Sequence, residues 1–152
     1  MCIRDRDTYS ALNTTLVKLV NQIMGIERKC LITEEFKDIS TNDMHIIECI
    51  GLDRPKNMSS IAKQLGVTVG TLTIAVNGLV KKGYVHRRRS EIDRRVVYIS
   101  LTEQGVAAYR HHEAFHQEMI AGITDHLNEQ ERELLAGVLE RLNEYFQKKY
   151  EQ

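Results

Sequence analysis

The sequence of 152 residues has no tryptophan, one proline and three cysteines. With Pro55 as the single proline, long helices are permitted almost everywhere. The odd number of cysteines, without CxxC spacing, argues against a disulfide framework and a cysteine zinc knuckle. No apolar run approaches the roughly 20 residues that cross a bilayer, and no secretion leader is recognisable. We therefore expect a cytoplasmic protein with reduced thiols.

Signatures of catalysis are also missing. The sequence contains no nucleophile elbow, phosphate-binding loop or dinucleotide-binding glycine pattern. Its carboxylates are scattered and form no recognisable acid–base constellation. Neither an enzyme nor a bound cofactor is therefore expected.

The charges are distributed unevenly, although the net charge is zero. Residues 81–101 carry seven basic and two acidic side chains, whereas residues 102–152 carry five basic and ten acidic ones. A basic stripe beside an acidic remainder is suited to attract a polyanion in one orientation. A solvated charge run is the simpler explanation when such a stretch is taken alone.

Most of the chain has helical periodicity. Apolar residues recur at steps of three and four from Tyr9 onward, which predicts a first helix that fades near Lys29. A second helix is predicted after a cap at Ser40 or Thr41. Two further long helices are predicted after Thr102.

Residues 59–83 predict two short helices that meet at a glycine-containing turn. The second helix is expected to turn Val69, Leu72, Val76 and Leu79 or Val80 inward, which leaves a small and polar outer face. Such a unit places its second helix in the major groove of DNA. An ordinary pair of surface helices is the alternative.

Residues 84–101 predict a β-hairpin with a polar tip. Arg94 is the candidate for insertion into a minor groove, and Asp93 is expected to pair with a neighbouring arginine and shape the loop. The remaining basic side chains are expected to contact phosphates. The predicted DNA-contacting residues are Ser59, Thr68, Gly70, Thr71, Thr73, Asn77, Lys81, Lys82, Arg87, Arg88, Arg89, Arg94 and Arg95.

The stretches Ile61-Ala62-Lys63-Gln64-Leu65 and Leu101-Thr102-Glu103-Gln104-Gly105, with Asp93-Arg94-Arg95 between them, resemble the MarR family. The resemblance implies a mainly α, winged helix-turn-helix fold with a β-hairpin wing, in which residues 40–101 form the DNA-binding lobe of a single domain. Residues 7–35 and 102–152 would form an α-helical dimerisation region. Residues 1–6 have no pattern and resemble a translated adapter sequence, so a non-native leader is expected there.

The family resemblance also implies an obligate homodimer on a pseudo-palindromic operator. The broad apolar stripes of the terminal helices independently require a partner surface, although packing within one chain is the alternative. The predicted dimerisation residues are Leu12, Leu16, Leu135, Leu139, Leu142 and Phe146.

Three further runs resemble the fatty-acid-synthesis repressors of Gram-positive bacteria: residues 36–40, residues 44–45 and residues 109–116. This resemblance implies repression of membrane-lipid synthesis genes, with a long-chain acyl group on acyl carrier protein as corepressor. The acyl tail would need an apolar slot, which is expected between the first, second and fifth helices.

Two other kinds of regulator remain open. His112 and His116 are one helical turn apart, and His45 and Cys30 could join them in a zinc site like that of zinc-uptake repressors. Histidines in a dimer core or on a helix surface are the simpler explanation. A thiol switch would use Cys30 or Cys49, but their apolar neighbours predict partial burial, which lowers reactivity.

Overall fold

A computed structural model describes residues 3–31 and 33–150, with side chains from residue 7 onward. In chain order the elements are α1 (Ile3–Leu31), α2 (Thr41–Ile50), β1 (Lys56–Asn57), α3 (Met58–Leu65), α4 (Val69–Lys82), β2 (Val85–Arg89), β3 (Val97–Leu101), α5 (Glu103–Asp125) and α6 (Glu129–Tyr150). The expected mainly α fold with a β-hairpin wing is confirmed. Among these helices, none combines the length and apolar character that crossing a membrane requires.

The chain divides into two compact units, Met1–Glu113 and Ala114–Gln152. The first unit contains the helix-turn-helix, the sheet and the buried core. The second contains the end of α5 and all of α6. Helix α1 already includes Ile3, so part of the predicted leader has helical backbone, and residues 1 and 2 lie outside the described part of the chain.

The helices of the first unit begin at polar caps. Ser40 caps α2 in a capping box, since its hydroxyl accepts from the Asp43 amide at 3.0 Å and its own amide donates to the Asp43 carboxylate at 3.1 Å. Asn57 caps α3 and Thr68 caps α4, each through a side-chain oxygen that accepts from the backbone amide three residues later. Helix α4 ends at Gly83, whose φ of +88° is a conformation that glycine adopts at little cost.

The sheet is antiparallel and has the strand order β1-β3-β2. Arg87 pairs with Ile99 and Arg88 with Tyr98, so the wing strands match residue for residue. Strand β1 was missed by sequence reasoning because Lys56 and Asn57 have no strand pattern, and the pairing with β3 alone defines it.

Tyr84 anchors the wing to the core. It is fully buried, and its hydroxyl donates to Asp38 Oδ1 at 2.7 Å, so burial and this hydrogen bond raise the pKa of Tyr84. Its backbone carbonyl accepts from the amide of Thr102 at 3.0 Å. A Cβ at Gly105 would overlap that same carbonyl oxygen, so α5 can begin here only with glycine at this position.

Apolar side chains on α1 and on α6 remain exposed. On α1, Leu12 is 64% exposed and Leu16 is 54% exposed. None of the described residues of α6 is buried. The predicted dimerisation residues of this helix, which are Leu135, Leu139, Leu142 and Phe146, are exposed in the single chain.

Candidate nucleic-acid interface

Helix α4 packs one face into the core and leaves the opposite face exposed. Leu72, Val76 and Leu79 are buried as predicted. Val69, which was expected to turn inward, is 45% exposed, and Val80, the alternative to Leu79, is 36% exposed. Val69 lies in the first turn, where it lines a cleft instead of the core, and the core contact near the C-terminal end is made by Leu79.

Hydroxyl groups near the start of α4 already serve the helix. Thr68 Oγ1 accepts from the Thr71 amide at 3.1 Å and donates to Thr71 Oγ1 at 2.9 Å. Thr73 Oγ1 donates to the carbonyl of Val69 at 2.7 Å. The hydroxyl protons of Thr68 and Thr73 are thus donated within the helix. Toward a ligand, these hydroxyls can act only as hydrogen-bond acceptors.

A cleft of about 500 Å³ separates the helix-turn-helix from the wing. Its lining includes five of the predicted DNA-contacting residues, namely Ser59, Thr73, Arg87, Arg89 and Arg95. Arg87 also donates to the side-chain oxygen of Asn77, which joins the wing to the middle of α4. The structure therefore brings the predicted residues of three segments to one basic concave surface.

Arg88 lies on the other side of the sheet from Arg87 and Arg89. Side chains alternate along a strand, and the register places Arg88 opposite Tyr98. Arg88 and His86 line a separate cavity of about 490 Å³ with Tyr98 and Arg54. The three predicted phosphate contacts are thus divided between two faces: Arg87 and Arg89 line the cleft, and Arg88 lines the separate cavity.

The wing tip is shaped by Asp93. Its carboxylate accepts from Arg95 Nε at 3.2 Å, from Arg95 Nη2 at 3.3 Å and from the Arg95 amide at 3.1 Å. These hydrogen bonds lower the pKa of Asp93, so the carboxylate is charged at neutral pH. The side chain of Arg95 is nevertheless 91% exposed, and Arg94 beside it is exposed as well, so both arginines of the tip face solvent.

The two lysines at the end of α4 differ. Lys81 is exposed, whereas Lys82 Nζ lies 3.0 Å from the carboxylate of Asp43 at the start of α2. Lys82, a predicted phosphate contact, forms an ion pair in the structure that joins α4 to α2. Sequence reasoning missed this pair because the partners are 39 positions apart.

A cluster of histidines and carboxylates lies where α1, α2 and the start of α5 meet. His112 is buried, and its Nε2 atom lies 2.9 Å from Glu48 Oε1 and 3.3 Å from Glu27 Oε1. His45 Nε2 approaches Glu27 Oε1 at 3.7 Å. Charged and polar groups thus occupy the junction at which an apolar acyl slot was expected.

This cluster only partly matches the zinc ligands suggested by the sequence. It contains His45 and His112 and adds Glu27 and Glu48, which were not predicted. Cys30 is exposed, contrary to the predicted partial burial, and its carbonyl oxygen lies 2.9 Å from His111 Nε2. His116, which follows His112 by one turn of α5, belongs to the second unit.

Cys49 is buried in α2. Burial raises its pKa, and the charge of Lys56 offsets part of this effect. The lower thiolate fraction disfavours Cys49 as a reactive thiol.

Comparisons with known proteins agree with this arrangement. A model of the MarR family matches residues 39–97, which include the helix-turn-helix and most of the wing. The chain is 30% identical over 111 residues to YpoP of Bacillus subtilis, an uncharacterised HTH-type transcriptional regulator, and the match covers 73% of this chain and 75% of YpoP. It is 28% identical over 80 residues to a second such regulator, YhjH, and spans about half of that protein's length, 46%.

The solved structures include one of high similarity. The crystal structure of FabT from Streptococcus pneumoniae in complex with DNA is 38% identical in sequence and superposes with a TM-score of 0.87. The match covers 92% of this chain and 98% of the FabT chain. The likeness therefore includes the terminal helices as well as the lobe.

Proposed function

The chain belongs to the MarR family of transcriptional regulators, and we propose that it acts in the cytoplasm as a homodimeric repressor of genes for fatty-acid and membrane-lipid synthesis. The observation that carries the proposal is the similarity to FabT, which extends over nearly the whole of this chain. The FabT structure was solved in complex with DNA. The residue runs that resemble fatty-acid-synthesis repressors point in the same direction. Long-chain acyl-acyl carrier protein is the proposed corepressor.

The proposed DNA contact uses the basic cleft. Helix α4 would lie in the major groove, and Arg94 at the wing tip would enter the adjacent minor groove. Arg87 and Arg89 would then meet the phosphates between the two grooves. Asp93 supports this arrangement because its hydrogen bonds to Arg95 shape the tip that carries the exposed Arg94.

A second copy of the chain is the proposed occupant of the exposed apolar faces. A helix such as α6, in which none of the described residues is buried, covers its apolar side chains through association. The DNA-binding lobe would be 40–101, and the dimerisation region would be 7–35 and 102–152. A two-fold dimer predicts a pseudo-palindromic operator with half-sites about 34–36 Å apart.

DNA binding is tested by gel shift on the operator with matched variants. Arg94→Ala should weaken affinity about a hundredfold, since two such arginines act in one dimer. Arg141→Ala removes the same charge from exposed α6 and should change affinity little. Equal effects of the two variants would contradict the proposed wing contact.

The corepressor is tested with the same assay. Long-chain acyl-acyl carrier protein should raise operator affinity, whereas acyl carrier protein without an acyl chain should not. Mass spectrometry of the purified dimer would reveal a retained acyl species. If neither experiment detects an acyl effect, the fatty-acid assignment is wrong while the assignment as a DNA-binding regulator stands.

A zinc-responsive repressor of metal uptake is the second candidate, because Glu27 lies between two imidazoles. The Glu27 oxygen is 3.3 Å from His112 Nε2 and 3.7 Å from His45 Nε2. Ligand atoms about 2.0–2.2 Å from a tetrahedral zinc ion are about 3.3–3.6 Å apart, and both imidazole–carboxylate distances are close to that range. An ion pair of His112 with Glu27 and Glu48 is the simpler alternative.

Zinc titration separates these alternatives. In a sensor, zinc raises operator affinity, and His45→Ala removes the response because the exposed imidazole is lost as a ligand. His126→Ala, a substitution in the turn that follows α5, serves as the control and should keep the response. Equilibrium dialysis that finds no zinc on the wild-type dimer would exclude the sensor.

A further inference from the structure

Ile74 projects from the middle of the exposed face of α4. The buried face of this helix is formed by Leu72, Val76 and Leu79. With 100° of rotation per residue, position 74 lies about 200° from position 72, on the opposite face. Ile74 is accordingly 77% exposed, although it is a large apolar side chain.

Glycines stand one turn before and one turn after Ile74. Gly70 and Gly78 have helical backbone, unlike Gly66 and Gly83, whose φ angles are positive. A Cβ built on Gly78 would meet no other described atom within 4 Å, and one on Gly70 would meet only Thr68 Oγ1 at 3.9 Å. Neither backbone conformation nor packing within the described chain requires these glycines.

This arrangement is unfavourable for the isolated lobe. Glycine in a helix interior weakens the helix relative to alanine. An isoleucine that remains exposed to water buries no apolar surface and so adds no hydrophobic stabilisation to folding. It is favourable when another molecule approaches closely. At Gly70 and Gly78 no side chain covers the helix backbone, so a partner can contact it, and Ile74 between them offers an apolar contact. Lys81, one turn beyond Gly78, is exposed and suits a polyanionic partner.

We propose that Ile74 contacts the C5-methyl group of a thymine in the major groove and thereby helps to determine which operator sequence the protein binds. The thymine methyl is the apolar group that base edges present in this groove. The inference rests on the proposed DNA-binding function and deepens it, since Ile74 was not among the predicted contacts. Asn77, held by Arg87, lies on the neighbouring part of the same face.

The test removes either the thymine methyl group or the Ile74 side chain that is proposed to contact it. After an operator has been selected from random duplexes, each thymine is replaced in turn by deoxyuridine, which lacks only the methyl. We expect one thymine per half-site at which the replacement weakens binding about fourfold. Ile74→Ala should weaken binding to the original operator about as much per half-site and should no longer respond to deoxyuridine at that position. Val80→Ala, on the same helix, should retain the response.

A second variant tests whether the helix backbone at Gly78 approaches DNA closely. Gly78→Ala should raise the thermal unfolding midpoint, because alanine favours the helix, and should lower operator affinity, because the added methyl separates helix and DNA. If affinity is unchanged in Gly78→Ala, the backbone does not approach DNA there and the proposal fails.

Failure of the thymine contact can be distinguished from failure of the proposed DNA-binding function. If the wild-type protein selects no duplex, the proposed DNA-binding function fails. If it binds an operator but no deoxyuridine replacement weakens binding, or if Ile74→Ala responds like the wild type, the thymine contact is wrong and the function stands. Apolar contact of Ile74 with another protein would give this second result.

Discussion

Leu72 in α4 is 1% exposed, whereas Leu139 in α6 is 55% exposed, although both occupy apolar helix faces. The first belongs to a core that the chain completes by itself. The second belongs to a helix in which the described residues bury nothing. This difference indicates that the winged lobe is stabilised by packing within the chain, whereas α6 can bury its apolar side chains only against another surface.

The largest effect on stability is expected in the lobe. Leu72→Ala should lower the free energy of unfolding by about 2–5 kcal/mol, because a buried leucine leaves a cavity when it is truncated. Chemical denaturation followed by circular dichroism at a fixed protein concentration measures this loss. A loss below about 1 kcal/mol would show that the lobe core is not as closely packed as the burial of Leu72 indicates.

A smaller effect, of another kind, is expected on α6. Leu139→Ala should leave the lobe folded and raise the dimer dissociation constant about tenfold or more, since each of two protomers loses part of a leucine contact. Sedimentation equilibrium measures this constant. Exposed Glu140 provides the control, because Glu140→Ala next to it removes no apolar contact. If both substitutions leave the constant unchanged, the α6 stripe is not the dimer surface.

The helix caps should give effects of about 1 kcal/mol in both regions. Ser40→Ala removes the cap of α2 and should lower the global free energy of unfolding of the lobe. Asn128, whose side chain accepts from the Glu131 amide at 2.9 Å, caps α6. Asn128→Ala should therefore speed hydrogen exchange in the first turns of α6. Faster exchange in α2 on Asn128→Ala would contradict the separation of the two regions.

The mildest comparison uses the thiols and leaves the fold unchanged. In a Cys2→Ser background at pH 8, iodoacetamide should modify exposed Cys30 in α1 well before buried Cys49 in α2. Burial and the raised pKa both slow Cys49, so its rate should rise more steeply as the pH increases toward 10. Mass spectrometry of peptides measures the two rates. Equal rates would mean that α2 opens readily.

Much of the lobe could be predicted because local patterns determine it. The caps Ser40 and Thr68, the terminating Gly83 and the buried positions of α4 all follow from short stretches of sequence. The alternation that separates Arg88 from Arg87 and Arg89 was also available, since side chains of a strand alternate between faces.

Other features depend on tertiary structure. Lys56 and Asn57 form a strand only because β3 lies beside them. Glu27 and Glu48 approach His112 from two other helices, and no sequence spacing indicates that meeting. The helical period places Ile74 away from the core, but its separation from other side chains becomes apparent only with the open space beside Gly70 and Gly78.

The contact between Gly105 and the Tyr84 carbonyl has a consequence for protein engineering. Wings could be exchanged between regulators to alter minor-groove preference, but the recipient must retain glycine at the first turn of α5. A chimaera with alanine there would displace the root of the hairpin, and Arg94 at its far end would move with it. The glycine of α5 should therefore be transplanted together with the hairpin whose root it contacts.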